Sequence, residues 1–121
     1  MDFLIFDLIM SRRIEQINEL LKNKLAHLIS HEIPLDNGLI TVVYVETSSD
    51  LKYAKIAVSV LPENRTGTVL EKLKKMSGLF SQVIRKETKL RKIPKFNWVL
   101  DTTEKEAAEI EGVFQRIKKG E

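Results

Sequence analysis

A chain of 121 residues, 43% apolar and 31% charged, is long enough for one buried core, too short for two, and too apolar for intrinsic disorder. It contains no cysteine, which excludes a disulfide framework, a thiolate metal site and a cysteine nucleophile together. The net charge of +3 conceals an asymmetry: residues 72–95 hold nine cations against Glu87 alone, while the remainder holds eleven cations against sixteen anions.

The opening MDFLIFDLIM is apolar, but it contains Asp2 and Asp7 and falls well short of the roughly 20 residues a spanning helix needs. It also lacks the basic leader and cleavage site of a secretory signal. Residues 1–10 read as an N-terminal extension from an upstream start, residues 11–121 as a single domain, and the expected location is cytoplasmic with no membrane partner. Ser11 is placed to cap a first helix, Arg12 to Ser30, whose apolar stripe is Ile14, Ile17, Leu21, Leu25 and Leu28. Pro34 and Asp36-Asn37-Gly38 end it. LITVVYVET and YAKIAVSVLP are dense in β-branched and aromatic residues, and the polar Ser48-Ser49-Asp50 between them predicts an antiparallel hairpin.

Helical spacing returns from Thr68, with Val69, Leu73, Met76, Leu79, Phe80, Val83 and Ile84 on the inner face. Ser77-Gly78 falls inside that run and predicts a kink or a break between two helices, because an interior glycine costs about 1 kcal/mol relative to alanine. Ile93-Pro94 enforces extension, and a third strand follows in which Phe96 and Trp98 fill the core. Thr103 with Glu106 has the spacing of a capping box for a final helix faced by Ala107, Ile110, Val113, Phe114 and Ile117. The expected architecture is α+β, a three-stranded sheet covered by helices in the order α-β-β-α(kink)α-β-α.

Enzymatic readings find little support in these residues. His27 and His31 stand four apart, but Leu28 occupies the position where a metalloprotease helix needs glutamate, and no cysteine or third histidine completes a ligand set. No metal site, catalytic residue or cofactor is expected. The five glycines never cluster, so neither a phosphate loop nor a GxxG clamp exists, and the hairpin lacks the aromatic signature of an RRM. The basic run KLRKIPK, Lys89 to Lys95, is the feature that points to a polyanion.

Three pieces in this order, LITVVYVETSSDLKYAKIAVSVL, MSGLF and KLRKIPKFNWVLDTT, resemble the ribosome-binding factor A family over nearly all of Arg12 to Lys119. The resemblance implies a KH-like fold of the second topological type, in which an Ala-x-Gly kink replaces the GxxG loop. Met76, Ser77 and Gly78 stand at that kink, with methionine in place of alanine, and Ser81 stands where the family commonly has a basic residue. Also implied is a role in assembly of the small ribosomal subunit: binding 16S rRNA in the immature 30S particle and promoting late maturation and 5′-end processing, especially in the cold. The partners would be 16S rRNA and the free 30S subunit, and the protein would act as a monomer. The residues expected to meet RNA are Arg12, Arg13, Lys72, Lys75, Arg85, Lys86, Lys89, Arg91, Lys92 and Lys95. Two rival readings are a protein-interaction domain using an amphipathic terminal helix without nucleic acid and, more remotely, a small hydrolase built on His27 and His31.

Overall fold

The computed structural model describes residues 2–101, apart from the side chains at positions 2–4, 6 and 7. The final helix expected beyond Thr103 lies outside the described residues. Within them the order is α1 (Asp2–Glu32), β1 (Leu39–Thr47), β2 (Tyr53–Leu61), a 3-10 turn (Glu63–Arg65), α2 (Thr66–Glu87) and β3 (Lys95–Leu100). This is the expected α+β arrangement, with a mixed sheet ordered β1-β2-β3. No helix among the described residues is long and apolar enough to cross a membrane.

The hairpin forms as expected, with β1 antiparallel to β2 and the register interrupted between Val42 and Tyr44. β3 runs parallel to β2 on its other side, because α2 carries the chain back to the starting end of the sheet. Alternation along β2 sends Ala54, Ile56, Val58 and Val60 into the core, where Phe96 and Trp98 of β3 join them. Ile17, Leu21, Leu25 and Ile29 are the buried stripe of α1, continued by Ile33 just past its end; Ile14 and Leu28 are only partly buried. α2 contributes Val69, Leu73, Phe80 and Ile84.

Two boundaries differ from expectation. α1 does not start at Ser11 but runs on from Asp2, since residues 2–32 contain no proline or glycine and Ser11 is only mildly unfavourable inside a helix. The added turns expose Ile5, Leu8 and Ile9. α2 does not divide at Ser77-Gly78 but is one continuous helix. The Ser77 hydroxyl donates to the Leu73 carbonyl at 2.9 Å and accepts from the Trp98 indole N–H at 2.7 Å, while Phe80 and Ile84 are fully buried in the core beyond it. Packing and that bonded pair outweigh the glycine's propensity penalty of about 1 kcal/mol. Gly38, in contrast, is required sterically: a Cβ there would lie 2.8 Å from the Leu61 carbonyl oxygen.

Three contacts hold the layers in register. The Asn18 side-chain carbonyl accepts from both the amide and the hydroxyl of Thr47, at 2.9 and 2.6 Å, fixing α1 to the end of β1. Lys24 pairs with Glu87 at 3.0 Å between the two helices. The Lys95 amide donates to the Lys52 carbonyl at 2.9 Å, tying the hairpin turn to the start of β3.

Candidate nucleic-acid interface

The segment between α2 and β3 shows why a basic run precedes a buried strand. Its apolar residues turn inward: Ile93 and Pro94 are buried and Leu90 packs against the core. Lys89, Arg91, Lys92 and Lys95 alternate with them and stay exposed. Thr88 closes the helix, its amide and hydroxyl both donating to the Ile84 carbonyl, and its oxygen accepts from the Leu90 amide at 3.3 Å. The cations therefore ride on an anchored loop rather than on a solvated connection.

Two concavities adjoin this loop and share Lys92 and Pro94. One is a groove of about 600 Å³ between α2 and β3, walled by Ser77, Gly78 and Ser81 on the helix and by Lys95, Asn97 and Trp98 on the strand. Lys52, Lys74 and Lys92 complete it, so four ammonium groups and no carboxylate line it. The other is a cleft of about 310 Å³ where Arg13 of α1 meets Lys89, Arg91 and Lys92 beside Asp50 and Leu51 of the hairpin turn. Cations from four separate segments of the chain thus border one continuous surface, which focuses positive potential more than the net charge suggests.

Asp50 is the carboxylate of that surface, and it is engaged. Its Oδ1 accepts from the Ser48 hydroxyl at 2.6 Å and from the Lys52 amide at 3.1 Å. Those two donors, the hydroxyl foremost, hold the carboxyl below the usual carboxylate range. Leu51 adopts a left-handed backbone, φ 63°, held by its amide bond to the Ser48 carbonyl at 2.9 Å and by packing of its side chain on the core.

Of the ten cations expected to meet RNA, Arg13, Lys89, Arg91, Lys92 and Lys95 line the groove or the cleft. Arg12 is exposed but lines neither. At about 100° per residue, α2 sorts the rest. Arg85 shares a flank with Lys74, Gly78 and Ser81, one turn beyond the groove, while Lys72 and Lys86 project from the opposite flank and Lys75 pairs weakly with Glu71 at 3.7 Å. Lys52 and Lys74 were absent from the expected set. Lys74 was within reach of sequence, since positions 74, 78, 81 and 85 recur at helical spacing along one flank. Lys52 was not, because its place depends on the turn meeting β3.

Met76 is half-buried and packs against the core, whereas Gly78 is exposed and a Cβ there would meet nothing within 4 Å. Glycine at this position is not demanded by the protein's own packing; its bare backbone is part of the groove wall. His27 and His31 meet edge to face on the exposed surface of α1, ring centroids 4.5 Å apart, and no group of three or more potential metal ligands exists among the described residues.

Comparison with known proteins identifies the family. The sequence model of the ribosome-binding factor A family matches residues 13–114. Ribosome-binding factor A of Akkermansia muciniphila is 30% identical over 110 residues, covering 91% of this chain and 88% of its own. A crystal structure of ribosome-binding factor A from Thermus thermophilus superposes with a TM-score of 0.62 at 22% identity, covering 72% of this chain and 94% of that one. A Thermus thermophilus RbfA homology model, as fitted into the cryo-EM map of a 30S–RbfA complex, gives a TM-score of 0.51 at 19% identity, covering 69% and 93%; these two likenesses concern the fold. With the family's sequence model matching residues 13–114 and a relative 30% identical over 91% of this chain, the protein belongs to the ribosome-binding factor A family.

Proposed function

We propose that this protein binds the small ribosomal subunit, docking the surface around Lys92 and Pro94 onto 16S rRNA of the immature particle. In doing so it promotes late maturation and 5′-end processing, with the greatest need in the cold, as a cytoplasmic monomer without catalytic groups of its own. The observation that carries this reading is the meeting of cations from α1, the hairpin turn, α2 and the 88–95 loop on adjoining concavities. Lysines and arginines so placed neutralise phosphates and release counterions, a term that depends on salt and tolerates many sequences. Membership of a family whose Thermus representative has been fitted into a 30S complex supplies the particle.

Co-sedimentation with 30S subunits, 50S subunits and 70S ribosomes across a salt series tests it. Selective 30S binding that weakens steeply with salt is expected; equal or absent binding to 30S at low salt would sink the proposal. A second reading, docking to a protein through the first turns of α1, draws on the exposure of Ile5, Leu8 and Ile9. It predicts binding that survives salt and is lost when those three residues become polar.

A further inference from the structure

We infer that the outer face of the sheet beside the groove carries a base-stacking subsite centred on Tyr53, which receives one unpaired nucleobase of an RNA strand whose backbone follows the lysine groove. The inference rests on the proposed RNA docking and specifies how a single strand would engage it. Tyr53 opens β2 with 56% of its surface exposed. Because Ala54 and Ile56 point into the core, strand alternation puts Tyr53 and Lys55 on the face turned away from the helices.

The neighbours of that ring suit a nucleotide. In register, Tyr53 lies opposite Lys95 and Lys55 opposite Asn97, so an ammonium group and an amide with both donor and acceptor stand next to the aromatic surface on β3. Together they line a concavity of about 480 Å³. Lys95, Phe96 and Asn97 border both this concavity and the α2–β3 groove, which makes a continuous path over the edge strand. On the far side stands Glu46, opposite Lys55 in the hairpin register. A carboxylate there repels phosphate and accepts from exocyclic amino groups, so the face favours an amino-bearing base, adenine, cytosine or guanine over uracil, while the carboxylate-free groove favours the backbone.

The platform is also fixed in place. The Tyr53 amide donates to the Ser48 hydroxyl oxygen at 3.1 Å, and its carbonyl accepts from the Ser48 amide at 2.8 Å. The bond between the Lys95 amide and the Lys52 carbonyl secures the adjacent residue to β3. A ring held on a bonded turn offers a stacking surface at little further ordering cost, the arrangement that single-strand binders use without sequence-specific contacts.

Fluorescence anisotropy of a labelled ten-residue oligoadenylate tests the subsite with the full-length protein and its Tyr53→Phe, Tyr53→Ala and Tyr53→Thr variants, their thermal midpoints matched beforehand. Tyr53→Thr keeps strand propensity should the alanine variant fold poorly. Tyr53→Phe should bind like the parent, and the truncated variants about tenfold more weakly. The salt dependence should be unchanged, because stacking releases no counterions. Equal affinity for the truncated variants overturns the subsite, as does a phenylalanine variant as weak as alanine, which would assign the effect to the hydroxyl. Loss of 30S sedimentation with oligoadenylate binding intact would also overturn it and give Tyr53 to a ribosomal protein. Failure of the parent to bind oligoadenylate at low salt removes the subsite, and failure to bind 30S as well removes the RNA reading beneath it.

Discussion

On one flank of α2, Lys74, Gly78 and Ser81 wall a groove closed by β3 and the basic loop, with Arg85 one turn on. Around the opposite flank and outer crest, Lys72, Lys75 and Lys86 stand with Glu71 and Glu87, whose carboxylates are already paired with lysines. Both sets of cations belong to the same basic stretch of sequence. A helix distributes any charged window around its full circumference, and a ligand meets only the sector that another element extends. What separates the flanks is the neighbouring strand and loop, which give one of them walls and leave the other a solvated ridge.

Charge reversal breaks this comparison most sharply. Replacing Lys92 and Lys95 with glutamate should lower 30S affinity by about a hundredfold or more at moderate salt and flatten the salt dependence by about one unit of slope for each phosphate that is no longer neutralised. Lys72, Lys75 and Lys86 changed together to glutamate should have a far smaller effect, and a reduction as large as that of the groove variant would show that the flanks are equivalent. Sedimentation titrations over the same salt series compare them.

Ser77 marks the border between groove and core. Ser77→Ala leaves the buried Trp98 indole N–H without its 2.7 Å acceptor, so unfolding by urea should show a decrease in stability of about 1–3 kcal/mol. Gly78 should behave in the opposite sense. Gly78→Ala adds a methyl that meets no protein atom within 4 Å, and the gain in helix propensity should stabilise the fold by about 0.5–1 kcal/mol. That same methyl projects into the groove, so 30S affinity should fall while stability rises. A variant that gained both would detach Gly78 from the binding surface.

The smallest expected effect concerns the turn beside the cleft. The Asp50 carboxyl is lowered by the Ser48 hydroxyl and the Lys52 amide, so its contribution to stability is complete above the ordinary carboxylate pKa of about 4 and is lost as pH falls through the depressed value. Thermal melts should therefore show the parent losing more stability than Asp50→Asn on going from neutral pH to below about pH 4, with the difference between them flat from about pH 5 to 8.

Much of this surface was legible in the sequence because local periodicity encodes it. β-branched and aromatic density on either side of a polar turn announced the hairpin, alternation announced the inward Phe96 and Trp98, and the cations of KLRKIPK already pointed to a basic surface beside that strand. The helix limits were less legible. Ser11 and Gly78 carry local signals for a start and a break, and each was overridden, Ser11 by uninterrupted helix-compatible sequence on both sides and Gly78 by the bonds of Ser77 and the burial of Phe80 and Ile84. Least legible were Lys52 and the stacking face, whose positions follow from the parallel pairing of β2 with β3, and no local pattern specifies a pairing partner.

That parallel pairing also sets when the surface can exist. The hydrogen bond from the Lys95 amide to the Lys52 carbonyl, like every β2–β3 pairing, closes a chain segment that includes the whole of α2. Such closures come late, since the entropy of a long loop must be overcome before its contacts return anything. A nascent chain that has exposed the hairpin and α2 therefore displays many of the basic side chains but no groove. The groove comes into being only when β3 has left the exit tunnel and docked, so the proposed docking surface cannot form on a chain that has not yet exposed β3.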